Sequence, residues 1–116
     1  MFRILLVEDD ESQRTIMTAA LRADGYDVFG AESAEKALEI LDGAKVDMAV
    51  CDVMMPGMDG FELTRELRAA YRDLPIMIVT AKSEIADKEV GFHAGTDDYM
   101  VKPLDLSEFR LRVRAL

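Results

Sequence analysis

The chain carries a single cysteine, Cys51, so it can form neither an internal disulfide nor a cysteine-based zinc site. Lying inside an apolar run, that thiol reads as a small core residue rather than a reactive group. Basic residues are in deficit: 14 Lys and Arg face 23 Asp and Glu, for a formal net charge of −9. That balance argues against nucleic acid and anionic membrane as direct partners of this chain. No apolar run approaches bilayer-spanning length and no signal peptide precedes the first strand pattern, so a cytoplasmic location is expected. Neither a P-loop nor Gly-x-Gly-x-x-Gly occurs, which leaves nucleotide binding unsupported. Repeats, linkers and low-complexity stretches are also missing. What remains is 116 residues, 50% of them hydrophobic: one soluble domain with room for a real core.

The residues present are organised around Met48 to Gly60. Met48 to Cys51 is an apolar run of the kind a parallel strand buried on both faces shows. Asp52 follows it, then the turn signal Met55-Pro-Gly57, then Asp59 as the cap of a helix. Similar units flank this one. Phe2–Val7 reads as the first strand, ending at Glu8-Asp-Asp10, with Asp10 as a helix cap. The helix after it is expected to pack through Ile16, Ala19, Ala20 and Ala23 and to close at Gly25. Tyr26–Phe29 is a short second strand, and the helix capped by Ser33 is expected to end at Gly43. Leu63, Leu67 and Ala70 mark the third helix, and Ile76–Val79 the fourth strand, before Thr80. Glu84–His93 is the least decisive helix, because its apolar residues are sparse. Asp97–Val101 is the fifth strand, ended by Lys102-Pro103, and the last helix sets Leu106, Phe109, Val113 and Leu116 on one face. Strands alternating with helices on short loops predict an α/β doubly wound five-stranded parallel sheet with five helices. The last helix is still in period at Leu116, so the chain is expected to be a piece of a longer one, a frayed terminus being the other reading.

Chemistry gathers at one edge of that sheet. Glu8 and Asp9 follow the first strand, Asp52 the third, Thr80 the fourth and Lys102 the fifth, all at carboxyl ends, where ligands of open α/β sheets bind. Taken singly, an acid after a strand is often a helix cap, Thr80 a polar strand end and Lys102 a solvated charge. Their joint occurrence points to a site. Crowded carboxylates repel unless a cation sits among them, and an oxygen-only set suits Mg²⁺, which favours an anionic co-ligand such as phosphate. An EF-hand does not fit, because Met54 and Pro56 stand where oxygen ligands are needed. Acid, metal, lysine and hydroxyl form a minimal phosphoryl-transfer site, with Asp52 as the natural nucleophile.

Four segments carry a family likeness: Ile4-Leu-Leu-Val-Glu-Asp-Asp10, Cys51-Asp-Val-Met-Met-Pro-Gly-Met-Asp-Gly60, Val79-Thr-Ala-Lys82 and Asp97-Asp-Tyr-Met-Val-Lys-Pro103. Together they resemble the receiver domain of two-component response regulators, over essentially all of residues 1–116. The resemblance implies a flavodoxin-like fold with strand order 2-1-3-4-5. It implies Asp52 as phosphoacceptor, served by a sensor histidine kinase, and Mg²⁺ held by Glu8, Asp9, Asp52 and the backbone carbonyl of Met54. Thr80 and Lys102 would contact the phosphate, and the Lys102-Pro103 peptide would be cis. Tyr99 would be the aromatic switch, exposed at rest and drawn inward on phosphorylation. Glu8 stands where aspartate is frequent in the family, and its longer arm is expected to reach Mg²⁺ through water.

The segment from Lys88 to Arg112 resembles the winged-helix transcription-factor branch, in which the fourth helix, fifth strand and fifth helix form a dimer face. Phosphorylation would then promote a homodimer, with Lys88 pairing Glu108 and Asp98 pairing Arg112 across it; Glu108 and Arg112 can also pair within their own helix. DNA would be reached only through an effector domain that this chain does not include, and the output would be transcription. His93 reads as solvent-facing rather than as a phosphorelay group. A haloacid-dehalogenase-like phosphatase would need Asp-x-Asp after the first strand, which Glu8-Asp-Asp10 lacks. A phosphate-independent interaction module would typically have lost the acceptor, the threonine or the lysine, and all three are here.

Overall fold

Each strand forms where apolar residues run together, and each helix starts at a residue that can satisfy its free N–H groups. The computed structural model describes residues 2–116. Its strands are β1 (Arg3–Val7), β2 (Asp27–Ala31), β3 (Met48–Cys51), β4 (Ile76–Thr80) and β5 (Asp98–Val101). All pair in parallel, in the order β2-β1-β3-β4-β5. The expected fold is the observed one. Every residue of β3 and β4 is buried, as a central strand covered on both faces demands. The edge strands β2 and β5 are only partly covered.

The helices are α1 (Glu11–Ala23), α2 (Ala34–Gly43), α3 (Gly60–Ala70), α4 (Ile85–Ala94) and α5 (Leu106–Ala115). The side chains of Asp10, Ser33, Asp59 and Asp105 accept from the N–H groups of Gln13, Lys36, Glu62 and Glu108, a cap worth about 1 kcal/mol each. On one face of the sheet Ile4, Leu6, Val50, Met77 and Val79 pack with Met17 and Leu21 of α1 and Phe109 and Val113 of α5. On the other, Leu5, Val7, Ala49 and Cys51 meet Ala34 and Ala37 of α2 and Leu63 and Leu67 of α3. Helix α4 buries only Gly91 and Ala94, so the sparse apolar pattern of this segment reflects a thin attachment to the sheet.

The expected packing face of α1 is wrong. Ile16 is 52% exposed and Ala19 and Ala23 are exposed, while Met17 and Leu21 face the core. Two long side chains remove far more apolar surface from water than alanines do, and they decide the helix's rotation. Leu106, the first residue of α5, and Leu116, just beyond its end, are likewise exposed; only Phe109 and Val113 of the expected set are buried. Helix α2 ends at Gly43, as expected, and Ala44 follows it in extended conformation. Gly25 and Gly95 do adopt positive φ at their helix ends. Strand β2 lies at Asp27–Ala31, later than the expected Tyr26–Phe29, and Asp97 falls outside β5. No helix among the described residues is long and apolar enough to cross a membrane.

Candidate functional site

The register places the chemistry. Val7 pairs with Ala31 and Cys51, and Cys51 with Ile78, so β1, β2 and β3 end at one level, while β4 and β5 run two residues further to the paired Thr80 and Val101. The parallel ladder continues one residue beyond three of them. Glu8 N–H donates to the Ala31 carbonyl at 3.0 Å, Asp52 N–H to Val7 at 2.9 Å and Lys102 N–H to Thr80 at 2.8 Å. The residues that carry charge are thus held by sheet-like bonds rather than left on free loops. Helix α3 begins hard against Asp52: a Cβ on Gly60 would lie 2.1 Å from the Asp52 carbonyl oxygen, so no other residue fits there.

Lys102 Nζ lies 2.6 Å from Glu8 Oε1 and 2.8 Å from Asp52 Oδ2. The remaining oxygens are also engaged, Glu8 Oε2 by Asp10 N–H and Asp52 Oδ1 by Met54 N–H, both at 3.1 Å. One carboxylate oxygen from each of Glu8, Asp9 and Asp52 falls within a group whose members all lie within 4.8 Å of one another. Glu8 and Asp52 are buried and Asp9 is exposed, so the cluster opens to solvent on one side. Burial pushes the Glu8 carboxyl above its ordinary range, outweighing the Lys102 and Asp10 hydrogen bonds that lower it. Burial alone would pull Lys102 down, but its bonds to Asp52 and Glu8 hold the ammonium above its usual value. Three carboxylates and one ammonium leave the cluster short of positive charge. Convergent hard oxygens of this kind fit a small divalent cation. Cys51 is no competing nucleophile: burial, then the Asp52 charge, pushes its thiol up to about 12.

Thr80 stands on the same edge but is turned to other work. It is buried, its hydroxyl oxygen accepts from Lys82 N–H at 3.4 Å, and that hydroxyl makes no hydrogen bond to the Asp52 or Lys102 side chain. Met54, two residues after Asp52, is exposed. The Lys102-Pro103 peptide is cis, as expected.

The expectation that Tyr99 starts outside is overturned. Its ring is 8% exposed and packs with Val53, Phe61 and Ile78, and its hydroxyl donates to the Lys82 carbonyl at 2.8 Å. Gly91 makes this possible, since a Cβ there would come within 2.9 Å of the ring. Burial, then the charges of Asp87 and Asp52, pushes the phenol up to about 12, so it keeps the proton it donates.

The acids expected to pair between chains are already engaged within one. Arg112 Nη1 lies 2.9 Å from Asp98 Oδ1, and its Nε 2.8 Å from Glu108 Oε2. One guanidinium, half a helix past the end of β5, reaches both. Among the described residues Lys88 forms no ion pair. His93 is exposed, as expected.

Two contacts at the site had no signal in the sequence. Glu35 of α2 accepts from Met58 N–H at 3.2 Å and so tethers the loop after Asp52 across 23 positions. Arg14 of α1 donates to the Glu8 carbonyl at 2.7 Å. Neither residue belongs to a periodic or spaced pattern; each becomes visible only once the helices are packed.

The carboxyl edge of the doubly wound sheet thus gathers an acid triad and a lysine. The chain belongs to the response regulator receiver domain family, whose model matches residues 4–114. It is 41% identical to the response regulator MprA of Mycolicibacterium vanbaalenii over 98% of this chain and 49% of that protein. With the heme response regulator HssR of Staphylococcus aureus it shares 40% over 100% of this chain and 51% of that one. The chain therefore spans about half the length of these curated relatives. Among solved structures, the response regulator TrrA of Thermotoga maritima, in complex with Mg²⁺ and BeF, superposes with a TM-score of 0.90 at 31% identity, covering 99% of this chain and 98% of that one.

Proposed function

We propose that this chain is a phosphorylation-dependent switch in which a sensor histidine kinase transfers a phosphoryl group to Asp52. The observation that carries it is the Lys102 ammonium joined to both Asp52 Oδ2 and Glu8 Oε1 inside the acid cluster. In the transfer, an Asp52 carboxylate oxygen forms a bond to phosphorus, and the bond from phosphorus to the donor imidazole nitrogen breaks, its electron pair leaving with the imidazole. The product is an acyl phosphate. Glu8, Asp9, Asp52 and the Met54 carbonyl would hold Mg²⁺, which when bound neutralises charge on the phosphoryl oxygens. Lys102 is already in place to meet one such oxygen. Apart from phosphorylation and dephosphorylation of its own Asp52, the domain turns over no substrate.

Output runs through Thr80 and Tyr99. A phosphoryl group on Asp52 offers the Thr80 hydroxyl a better acceptor than its present surroundings. Lys82 couples the two residues: its N–H faces Thr80 and its carbonyl takes the Tyr99 hydroxyl. Moving Thr80 therefore disturbs the anchor of Tyr99 and the thinly attached α4. A ligand shifts such an equilibrium only by its differential affinity for the two states, here the new Thr80 and Lys102 contacts. The affected face, with Lys88, Asp98, Glu108 and Arg112, is the proposed homodimer surface of the winged-helix branch. The output is transcription, reached through an effector domain outside residues 1–116, in the cytoplasm.

Beryllofluoride with Mg²⁺, an acyl-phosphate mimic, is expected to shift the protein from monomer toward dimer in sedimentation, and Arg112→Glu to block the shift. A mimic that binds while the mass stays monomeric would remove the dimer from this reading. A second expectation concerns the metal. Asp9→Ala relieves repulsion in the metal-free cluster, so it should raise metal-free stability by about 0.5–1 kcal/mol while weakening Mg²⁺ at least about tenfold. Unchanged Mg²⁺ affinity in a calorimetric titration counts against the proposed ligand set.

A further inference from the structure

One cation outside the acid cluster touches the main chain that carries two of its members. Arg14 sits in the first turn of α1, with Nη1 2.7 Å from the Glu8 carbonyl oxygen and 3.5 Å from that of Asp9. A guanidinium bond to a carbonyl is charge-assisted and stronger than a neutral one. The rest of this loop is held by the Glu8 N–H bond to Ala31 and by Asp10 N–H on the Glu8 side chain. Arg14 is the bond that holds the Glu8 carbonyl. Without it, the peptide between two like-charged acids would be free to turn outward, because their repulsion favours separation.

The arginine reaches this position by crossing Gly30 of β2. A Cβ on Gly30 would lie 3.5 Å from Arg14 Cδ and 3.8 Å from Cγ, ordinary contact distances, so the stem runs directly over this glycine. Glycine inside a strand weakens it and often marks a place where another group comes close. A methyl group would fit against the stem; a branched side chain would displace it.

We infer that Arg14 is a positioning residue for the metal-holding acids, seated in a slot that Gly30 leaves open and fixing the Glu8–Asp9 main chain so that its carboxylates converge with Asp52. This rests on the Mg²⁺ reading above. A simple charge effect would act in the opposite direction. A nearby cation repels Mg²⁺, so deleting it without loosening the loop would tighten metal binding.

The test uses Arg14→Met, Arg14→Lys, Gly30→Val and, as control, Arg22→Met, since Arg22 donates to the Val28 carbonyl and touches no acid. Hydrogen exchange of the residue 8–11 amides in metal-free protein reads the loop, and a calorimetric Mg²⁺ titration reads the site. Arg14→Met and Gly30→Val should each speed that exchange about tenfold and weaken Mg²⁺ about five- to tenfold. Arg14→Lys should fall between them and the parent, and Arg22→Met should change neither. Gly30→Val keeps the positive charge, so matching losses identify the contact rather than the charge. The two Arg14 variants carry the same decision without altering the sheet. Unchanged exchange in Arg14→Met overturns the inference whatever the metal does. Tighter Mg²⁺ binding in Arg14→Met, with none in Gly30→Val, also overturns it. Faster exchange in a protein whose parent binds no Mg²⁺ supports the hold on the loop and overturns the metal reading instead.

Discussion

Asp52→Asn is expected to lose phosphoryl labelling by acetyl phosphate, by about a thousandfold or more, while keeping the fold. The amide is nearly the size of the carboxylate and still offers an oxygen to Met54 N–H or to Lys102, so the contacts that hold the loop have a partner. What it lacks is a nucleophilic oxygen. Labelling and circular dichroism on the same sample separate the two effects. A variant that is folded and still labelled would place the acceptor on another acid, with Asp9 the nearest candidate in the cluster.

Lys102→Met should produce the largest loss of stability. The side chains of Glu8 and Asp52 are only 2% and 7% exposed, and among the described residues Lys102 is the one cation paired with either. Removing one partner of a buried pair costs about 3–5 kcal/mol, because the charge left behind has no water to return to. The cost should depend on pH in a definite direction. The Glu8 carboxyl is raised in the fold, so its contribution is fully present below its unfolded value and is lost as pH rises through the folded one. The variant should therefore close part of its gap to the parent at about pH 5 and widen it at about pH 7.5, with Mg²⁺ restoring some stability at the higher pH. Urea unfolding at both pH values, with and without Mg²⁺, reads all of this. A loss below about 1 kcal/mol that ignores pH would mean that Lys102 does not neutralise the cluster.

The parts of the molecule legible from sequence share one property: their signal is local. The runs Ile4–Val7, Met48–Cys51 and Ile76–Val79 mark buried parallel strands because every position along them must be apolar. Once those strands are parallel, the residues after them share an edge, and Glu8, Asp9, Asp52 and Lys102 do meet there. Asp10, Ser33 and Asp59 were legible as caps for the same reason, since a cap reaches only two or three residues. What failed depended on competition or on distance. The rotation of α1 was decided by the size of Met17 and Leu21 against a more regular set of alanines. The inward Tyr99 depends on Gly91 of α4 leaving room for a ring in β5. The Glu35 tether and the Arg14 contact join elements whose packing no short window of sequence reveals.

In the proposed switch Asp52, and no other acid of the cluster, carries the phosphoryl group. The most direct measurement treats the protein with acetyl phosphate and Mg²⁺, reduces it with borohydride and maps the modified position by peptide mass spectrometry. Borohydride converts an acyl phosphate of aspartate to homoserine and leaves free carboxylates alone. Homoserine is expected at position 52 only, and none when Mg²⁺ is chelated beforehand. Homoserine at position 9 or elsewhere, or an unmodified chain in the presence of Mg²⁺, would contradict it.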